Sequence, residues 1–264
     1  MKLLEFDCLD STNRYLLDLA RNGEDAGTAV WAHRQTGGRG RLGRSFSSPE
    51  GGIYVSILVP LADLSEAGPS GGISITAMAG VAVRRTIFQV CSKDCGIKWV
   101  NDIIFNGRKV CGILAQACGD KAVIGIGINY RTDLSGLPPD VREIACSLYA
   151  PDEKVPDERD FVMALLDNVW NLITGKGPAT EHDSWLAEYK SSSTIVGNEV
   201  LILKAGAVTG EGLATEIDDS CFLHVVGADG KETVLSTGEV SIRKTDDRQS
   251  SVEKSCSGKA SWTL

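Results

Sequence analysis

Apolar positions along the chain follow two different periods, which predicts a sheet flanked by helices. Apolar residues at helical spacing predict helices over residues 10–21, 74–90, 160–174 and 183–190. Short apolar runs bounded by turn residues predict strands over residues 3–6, 28–32, 52–59, 103–105, 110–115 and 123–128. Residues 131–142, with two prolines, predict a long loop that could order over a nucleotide. Strands and helices mixed in this way are typical of an α+β domain with an α/β-type mixed sheet.

The pattern changes after a run of three serines at residues 191–193, which indicates a domain boundary. Beyond it, the sequence predicts short strands over residues 199–203, 210–217, 222–226 and 232–235. These short strands predict a small β-barrel. We therefore divide the chain into a large domain (1–193), a small barrel domain (194–244) and a polar tail (245–264) that we expect to be disordered.

Residues 37–44, here called the basic loop, place four glycines and three arginines between two predicted strands. Glycine allows the backbone to approach a ligand closely, and arginine binds phosphate or carboxylate through several hydrogen bonds. The composition of the loop therefore predicts a flap over an anionic ligand.

Two nucleotide-binding motifs are alternatives for the basic loop. Gly38, Gly40 and Gly43 fit the spacing of the dinucleotide fingerprint, and Asp63 lies about the right distance beyond them. That fingerprint requires a helix after the glycines, whereas the turn-rich residues 47–52 lead into a strand. No Gly-Lys-Ser/Thr ends the run, as a P-loop would require. The remaining alternative is a solvated linker or a loop that touches RNA.

A second group of charged and amide side chains surrounds a predicted hairpin. The dipeptide Asn106-Gly107 between two apolar runs is a strong short hairpin signal. The hairpin can bring Lys98, Asn101 and Asp102 towards Lys109. Taken singly, each lysine is more often a surface residue, and Asp102 is more often a turn former than a metal ligand. Together with the basic loop they favour a common anionic ligand.

Composition disfavours several classes of function. A formal net charge of -8 and a pI near 5.0 over 264 residues disfavour sequence-independent binding to nucleic acid. No apolar run reaches the roughly 18 residues that span a bilayer, and no secretory signal opens the chain. We therefore expect a soluble, cytoplasmic protein with no membrane partner. The eight cysteines include no C-x-x-C pair and predict reduced thiols rather than a zinc site.

Six segments resemble the biotin protein ligases, enzymes that activate biotin with ATP and attach it to a lysine of a carrier domain. The segments are residues 10–13, 35–44, 98–102, 109–114, 125–129 and 238–243. Phe46, Val100 and Gln116 depart from the family, which usually has tryptophan, proline and an acid at these positions. The departures bear on rate or affinity more than on the type of reaction.

The resemblance implies a fold and a set of site residues. The fold is a catalytic domain like that of class II aminoacyl-tRNA synthetases, followed by an SH3-like β-barrel. The implied catalytic residues are Lys109, Arg41 and Asp102, with Mg²⁺ near Asp102. The implied biotin-binding residues are Ser11, Thr12, Asn13, Gln35, Gly38, Arg39, Gly40, Arg41, Lys109 and Gly112. The implied ATP-binding residues are Arg41, Arg44, Lys98, Asn101, Asp102, Asn129 and Arg243. The implied substrates are ATP and biotin, with Mg²⁺ as cofactor, and the implied partner is the biotin carboxyl carrier domain of a biotin-dependent carboxylase.

Three other functions remain open at this point. A lipoate or other acyl-cofactor ligase would share the large domain, although the basic loop and the terminal barrel favour biotin. A non-catalytic sensor of biotin or its adenylate is the second; only ten residues precede Ser11, which disfavours a DNA-binding repressor. The third, a nucleic-acid module, is disfavoured by the acidity of the chain and by the lack of aromatic residues beside the arginines. A monomer and a homodimer are equally compatible with the sequence.

Overall fold

One mixed sheet forms the framework of the larger part of the protein. The structure is a computed structural model that describes residues 1–61, 71–176, 179–204, 207–236 and 240–244. The seven strands of the sheet are β1 (Lys2–Leu9), β2 (Thr28–Gln35), β3 (Ile53–Pro60), β4 (Gly96–Lys98), β5 (Asp102–Phe105), β6 (Arg108–Cys118) and β7 (Lys121–Ile128). Their order across the sheet is β1-β2-β3-β7-β6-β5-β4. β1 and β2 are parallel, and the other neighbouring pairs are antiparallel. The predicted mixed sheet is confirmed.

Five helices surround this sheet or follow it in the described part of the chain. They are α1 (Thr12–Arg21), α2 (Gly71–Cys91), α3 (Pro139–Ile144), α4 (Glu158–Thr174) and α5 (Ala179–Ser191). The four predicted helices are confirmed, with ends that differ by a few residues. The predicted loop over residues 131–142 is wrong in its second half, because α3 begins at Pro139, where the fixed φ of proline suits the first turn of a helix. None of these helices is long and apolar enough to cross a bilayer.

The two faces of the sheet are covered differently. α2 and α4 pack on each other, with α2 against β4, β5 and β6 and α4 against β3. α1 covers part of the opposite face, where Leu16 and Leu17 contact Val30, Leu58 and Val123. Because α1 is only ten residues long, it leaves part of that face without a helical cover.

The uncovered part of this face carries small and polar residues. Side chains alternate between the two faces along a strand, so Ser56 of β3 lies on the same face as Leu58. Ser56 is the register partner of Gly125 on β7, and Gly127 is the partner of Gly112 on β6. The sheet therefore presents glycines and one hydroxyl beside the N-terminus of α1.

The N-terminus of α1 is fixed by its capping residue. Ser11 has extended backbone angles, and its buried hydroxyl accepts a hydrogen bond of 3.5 Å from the backbone N–H of Arg14. The predicted capping role of Ser11 is confirmed. The cap brings the next two residues, Thr12 and Asn13, against the face of the sheet, where both are buried.

The remaining strands form a separate antiparallel sheet. They are β8 (Glu199–Lys204), β9 (Ala207–Ile217), β10 (Leu223–Val226), β11 (Glu232–Leu235) and β12 (Val240–Lys244), in the order β11-β10-β9-β8-β12. Over the described residues no pairing joins β11 to β12, so the strands form an open sheet and the predicted closed barrel is not observed. The predicted tail, residues 245–264, lies outside the described residues.

The chain divides into two compact units. The first contains Met1–Thr194 and Asp219–Cys221, and the second contains Ile195–Asp218 and the described residues from Phe222 onward. The first unit holds the mixed sheet and every candidate site residue except Arg243.

Candidate active site

A chain of polar contacts joins the basic loop to the β5–β6 hairpin. The Arg41 guanidinium donates a hydrogen bond of 2.9 Å from Nη1 to Asn101 Oδ1. Asn101 Nδ2 donates to Asp102 Oδ1 at 3.1 Å, and the same carboxylate oxygen lies 2.6 Å from Lys109 Nζ. Two cations from distant parts of the sequence therefore flank one carboxylate.

The hairpin turn explains why Lys109 reaches Asp102. Asn106 and Gly107 both have positive φ, 49° and 75°, as the tight turn predicted by this dipeptide requires. The strand register shifts after the second residue of β5. Lys109 pairs with Ile104, whereas Asp102 pairs with Gly112, three positions beyond Lys109. This bulge brings the Lys109 side chain back towards Asp102 at the start of β5.

Burial strengthens the electrostatics of this cluster. Desolvation lowers the pKa of the Arg41 guanidinium, and the Asp102 carboxylate acts in the opposite direction. Arginine nevertheless stays protonated in proteins. Lys109 and Asp102 are also mostly buried, with 30% and 25% of their side chains exposed. An anion that enters here would meet fixed positive charge in a medium that screens it weakly.

A second polar network lies at the N-terminus of α1. Gln35 Oε1 accepts from the Thr12 N–H at 2.8 Å and lies 3.1 Å from Thr12 Oγ1. Ser56 Oγ lies 2.8 Å from Thr12 Oγ1 and 2.6 Å from Asn13 Oδ1. The network connects β2 and β3 to α1, which holds each of these side chains in one position.

Three glycines, Gly112, Gly125 and Gly127, form a glycine floor between the two polar groups. A Cβ atom added at Gly127 would lie 2.6 Å from the Phe46 ring, and one at Gly112 would lie 3.2 Å from both Phe46 and Lys109. A Cβ atom at Gly125 would overlap the Asn13 amide. The floor therefore extends from Asn13 at one end to Lys109 at the other, with Phe46 above its centre.

Replacing Gly125 by alanine should destabilise the protein through the buried Asn13 side chain. The new methyl group would displace the buried Asn13 amide and break its hydrogen bonds, so we expect a loss of about 1–3 kcal/mol in the free energy of unfolding. Urea unfolding followed by circular dichroism measures this loss. Gly72→Ala is the matched control, because a Cβ atom there meets nothing within 4 Å. Equal stability of the Gly125→Ala and Gly72→Ala variants would contradict the packing described above.

The basic loop is folded on itself rather than extended. The Gly40 N–H donates to Arg44 O at 2.7 Å, and the Phe46 N–H donates to Gly38 O at 2.9 Å. A Cβ atom at Gly38 would overlap the Phe46 carbonyl oxygen, which explains why glycine is needed there. The loop contains one 3₁₀ turn, Arg41–Gly43, and then leads to β3, so no helix follows the glycines as a dinucleotide fingerprint requires.

Comparison with known proteins identifies the family of this chain. A model of the biotin/lipoate A/B protein ligase family matches residues 5–133. The biotin--[acetyl-CoA-carboxylase] ligase of Mycobacterium tuberculosis is 31% identical over 235 residues, which cover 87% of this chain and 85% of that protein. The chain belongs to the biotin protein ligase family.

Two further relatives give the extent of the likeness. The bifunctional ligase/repressor BirA of Bacillus subtilis is 35% identical over 164 residues, and the match spans only 48% of that protein, about half its length. A biotin protein ligase from Aquifex aeolicus, solved in complex with biotin and ATP, superposes with a TM-score of 0.77 at 26% identity. That alignment covers 92% of this chain and 99% of the Aquifex chain.

The two polar networks and the glycine floor contain half of the residues that the family resemblance assigned to biotin and ATP. Thr12, Asn13 and Gln35 share one network, and Arg41 shares the other with Asn101, Asp102 and Lys109. Gly112 belongs to the glycine floor. Their contacts with ligands remain predictions, since the observed partners are other side chains of the protein.

Other predicted residues of the biotin protein ligase site lie at its edges or support it. Arg39 and Arg44 are exposed residues of the basic loop, and Lys98 is the register partner of Asp102. The buried Asn129 amide donates to Cys146 O at 3.0 Å, which holds the segment after α3. Arg243 belongs to β12 of the second unit, and its side chain lies outside the described part of the structure.

Sequence reasoning missed two residues of the site, Ser48 and Ser56. Ser48 Oγ accepts from Gln35 Nε2 at 2.9 Å, and Ser56 is fully buried between Thr12 and Asn13. Ser56 is the one small polar residue in the largely apolar run of β3, and this is the signal that could have identified it, because a buried polar group requires partners.

Proposed function

We propose that this protein catalyses the biotin protein ligase reaction: it joins biotin and ATP to form biotinyl-5′-AMP and pyrophosphate, then transfers biotin to a lysine of a biotin carboxyl carrier domain. The observation that carries the proposal is the convergence of Arg41 and Lys109 at one end of the glycine floor. The relatives add support, because the Mycobacterium protein is named a biotin ligase and the Aquifex enzyme was solved with biotin and ATP.

The first step needs positive charge. A carboxylate oxygen of biotin attacks the α-phosphorus of ATP, the bond from that phosphorus to the β-phosphate oxygen breaks, and pyrophosphate leaves. Both reactants are anions, so their approach is opposed by repulsion that is strong in a buried site. Arg41 and Lys109 supply fixed cations where the two negative groups meet, and fixed charges of this kind stabilise a transition state without reorganisation.

The second step consumes the mixed anhydride. The amine of the acceptor lysine attacks the acyl carbon, the bond to the phosphate oxygen breaks and AMP departs. We assign Asp102 to hold the incoming amine and accept its proton. Arg41, with the rest of the basic loop, keeps the adenylate bound until this amine arrives.

The biotin head group is assigned to Thr12, Asn13 and Gln35, with Ser11, Gly38, Arg39 and Gly40 at its border. The nucleotide is assigned to Arg44, Lys98, Asn101 and Asn129, and a contribution from Arg243 remains a prediction.

The residues of the site fit Mg²⁺ only as an ion that ATP brings with it. Among the described residues no group of three or more His, Cys, Asp or Glu side chains could form a metal site. Mg²⁺ commonly binds through one or two carboxylates together with substrate phosphates, and Asp102 can supply one such carboxylate. When bound, the ion would neutralise charge on the phosphates.

Several finer features belong to the same proposal. We expect the second unit to be an SH3-like barrel and the first to be a domain like that of class II aminoacyl-tRNA synthetases. Six cysteines in the described part of the chain are free thiols, which supports a reducing compartment such as the cytoplasm. They are Cys8, Cys91, Cys95, Cys111, Cys118 and Cys146. A monomer and a homodimer remain alternatives.

Isotope exchange between pyrophosphate and ATP tests the proposal. We expect exchange with biotin and little or none with lipoate, because only biotin offers polar head-group atoms to Thr12 and Gln35. Exchange with lipoate alone would assign the chain to the other branch of the family, and binding of biotin without any exchange would favour a sensor.

A further inference from the structure

Four oxygen atoms at the head-group end of the site form an unbroken row. They are Gln35 Oε1, Thr12 Oγ1, Ser56 Oγ and Asn13 Oδ1, and the successive gaps are 3.1, 2.8 and 2.6 Å. Thr12, Asn13 and Ser56 are buried, so solvent does not readily supply hydrogen bonds to the row. A proton between the two oxygens stabilises a gap of this length, and the need is greatest in the shortest gaps, because two bare acceptors repel each other.

The orientations of the two terminal amides are fixed by their other partners. Asn13 Nδ2 donates to the backbone oxygen of Leu114 at 3.2 Å and to Gln116 Oε1 at 2.9 Å, so Asn13 Oδ1 faces Ser56. Because a backbone oxygen can only accept, the opposite orientation of this amide is excluded.

Gln35 is fixed in the same way. The Ser48 hydroxyl donates to Phe46 O at 3.0 Å, so Ser48 Oγ must accept from Gln35 Nε2. Gln35 Oε1 then faces Thr12, where it also accepts the Thr12 backbone N–H. Both ends of the row are therefore amide oxygens, which carry no proton.

The row has three gaps but only two protons, those of the Thr12 and Ser56 hydroxyls. The Ser56 hydroxyl has one proton, and the shortest gap takes it, directed to Asn13 Oδ1. The Thr12 hydroxyl lies within donor distance of Gln35 Oε1, at 3.1 Å, and of Ser56 Oγ, at 2.8 Å. We assign its proton to the shorter gap, towards Ser56 Oγ, where two bare acceptors would repel more strongly. The longest gap, between Thr12 Oγ1 and Gln35 Oε1, is left without a proton. Two acceptors with no donor between them are complementary to an N–H or O–H group of a ligand.

We propose that Ser56 is a positioning residue: it accepts the proton of the Thr12 hydroxyl, so that Thr12 Oγ1 and Gln35 Oε1 both remain hydrogen-bond acceptors towards the ligand. Together these two acceptors select an acid whose head group carries an N–H donor. The inference rests on the proposed function and deepens it, because a cyclic urea offers such a donor and the sulfur ring of lipoate does not. A site built around a required hydrogen bond rejects ligands that lack it more strongly than an apolar pocket can reject an extra group.

Ser56→Ala removes the hydroxyl that accepts the Thr12 proton, while leaving Thr12 and Gln35 in place. The Thr12 hydroxyl then donates to Gln35 Oε1, and the pair no longer requires a donor from the ligand. We expect the KM for biotin in pyrophosphate exchange to rise by about 10- to 100-fold and the KM for ATP to change less than about 2-fold. Exchange driven by octanoate, which has no N–H, should increase, because the variant pair no longer disfavours a ligand without a donor.

Thr86→Val is the matched control. Thr86 is also fully buried and its hydroxyl donates to Ala82 O, but it lies on α2, on the other side of the sheet. This variant should leave the KM for both substrates unchanged. If Ser56→Ala raised the KM for biotin and for ATP alike, or lowered exchange with biotin and octanoate by the same factor, Ser56 would have only a structural role.

A ligand-side experiment keeps the inference testable if the Ser56 variant does not fold. Biotin methylated at one or the other ureido nitrogen lacks one N–H donor, and the wild-type protein should use one of these two isomers about 10- to 100-fold less well than biotin. Use of both isomers within about 2-fold of biotin would overturn the inference while leaving the ligase proposal intact. Absence of exchange with biotin itself would instead overturn the proposed function.

Discussion

Lys109→Ala should lower the rate of biotinyl-adenylate formation by on the order of 10²-fold or more. The Lys109 ammonium lies 2.6 Å from Asp102 and beside the glycine floor, where the biotin carboxylate is expected to meet the α-phosphate. Its removal takes away one of two cations that offset the repulsion between these anions, and it leaves the Asp102 carboxylate to add to that repulsion. Single-turnover measurement of pyrophosphate release checks the result.

Lys121→Ala is the control for this prediction. Lys121 is a half-buried lysine at the start of β7, and its ammonium group donates to Glu24 O at 2.9 Å. Its register partners, Pro60 and Cys118, lie at the ends of their strands, away from the glycine floor. It should leave pyrophosphate release unchanged. Near-normal release from the Lys109 variant would remove Lys109 from the mechanism, whatever its effect on stability.

Arg41→Gly should still form the adenylate but release it, on the order of 10²-fold faster than the wild-type protein. Arg41 joins the basic loop to Asn101, next to the hairpin, through a hydrogen bond of 2.9 Å, so its loss removes both a cation and an attachment of the loop. Released biotinyl-adenylate acylates exposed lysines without selection. Biotin incorporation into an unrelated lysine-rich protein, added to the reaction, measures this leak.

Leu42→Gly separates the charge of Arg41 from the flexibility of a new glycine. Leu42 is the next residue of the same loop, it is 58% exposed, and its φ of 57° lies in the region that glycine adopts easily. This variant should retain the adenylate. Equal leakage from both variants would show that loop stiffness, rather than the Arg41 cation, holds the intermediate.

Local signals in the sequence predicted the parts of the site that depend on short-range geometry. The Ser11 cap fixes the start of α1, and Asn106-Gly107 fixes the hairpin that brings Lys109 to Asp102. Both are properties of a few consecutive residues, so they can be read without knowing the rest of the fold.

The other parts of the site depend on strand register, which no local signal determines. Gly112 and Gly127 become neighbours only because β6 pairs with β7 in one register, and a shift of one residue would place them on opposite faces of the sheet. Ser56 meets Thr12 only because β3 crosses the N-terminus of α1, 44 residues away in the sequence. The β-barrel was predicted from the number of short strands, but their number does not determine whether the sheet closes.

The most direct test of the account uses biotin labelled with ¹⁸O in both carboxylate oxygens, incubated with the protein, ATP, Mg²⁺ and an acceptor domain. If the carboxylate attacks the α-phosphorus and the acceptor amine then attacks the acyl carbon, one labelled oxygen must leave with the nucleotide. Mass spectrometry should therefore find AMP that is heavier by one ¹⁸O, in proportion to the biotin transferred. Unlabelled AMP, or ¹⁸O in inorganic phosphate, would contradict the account.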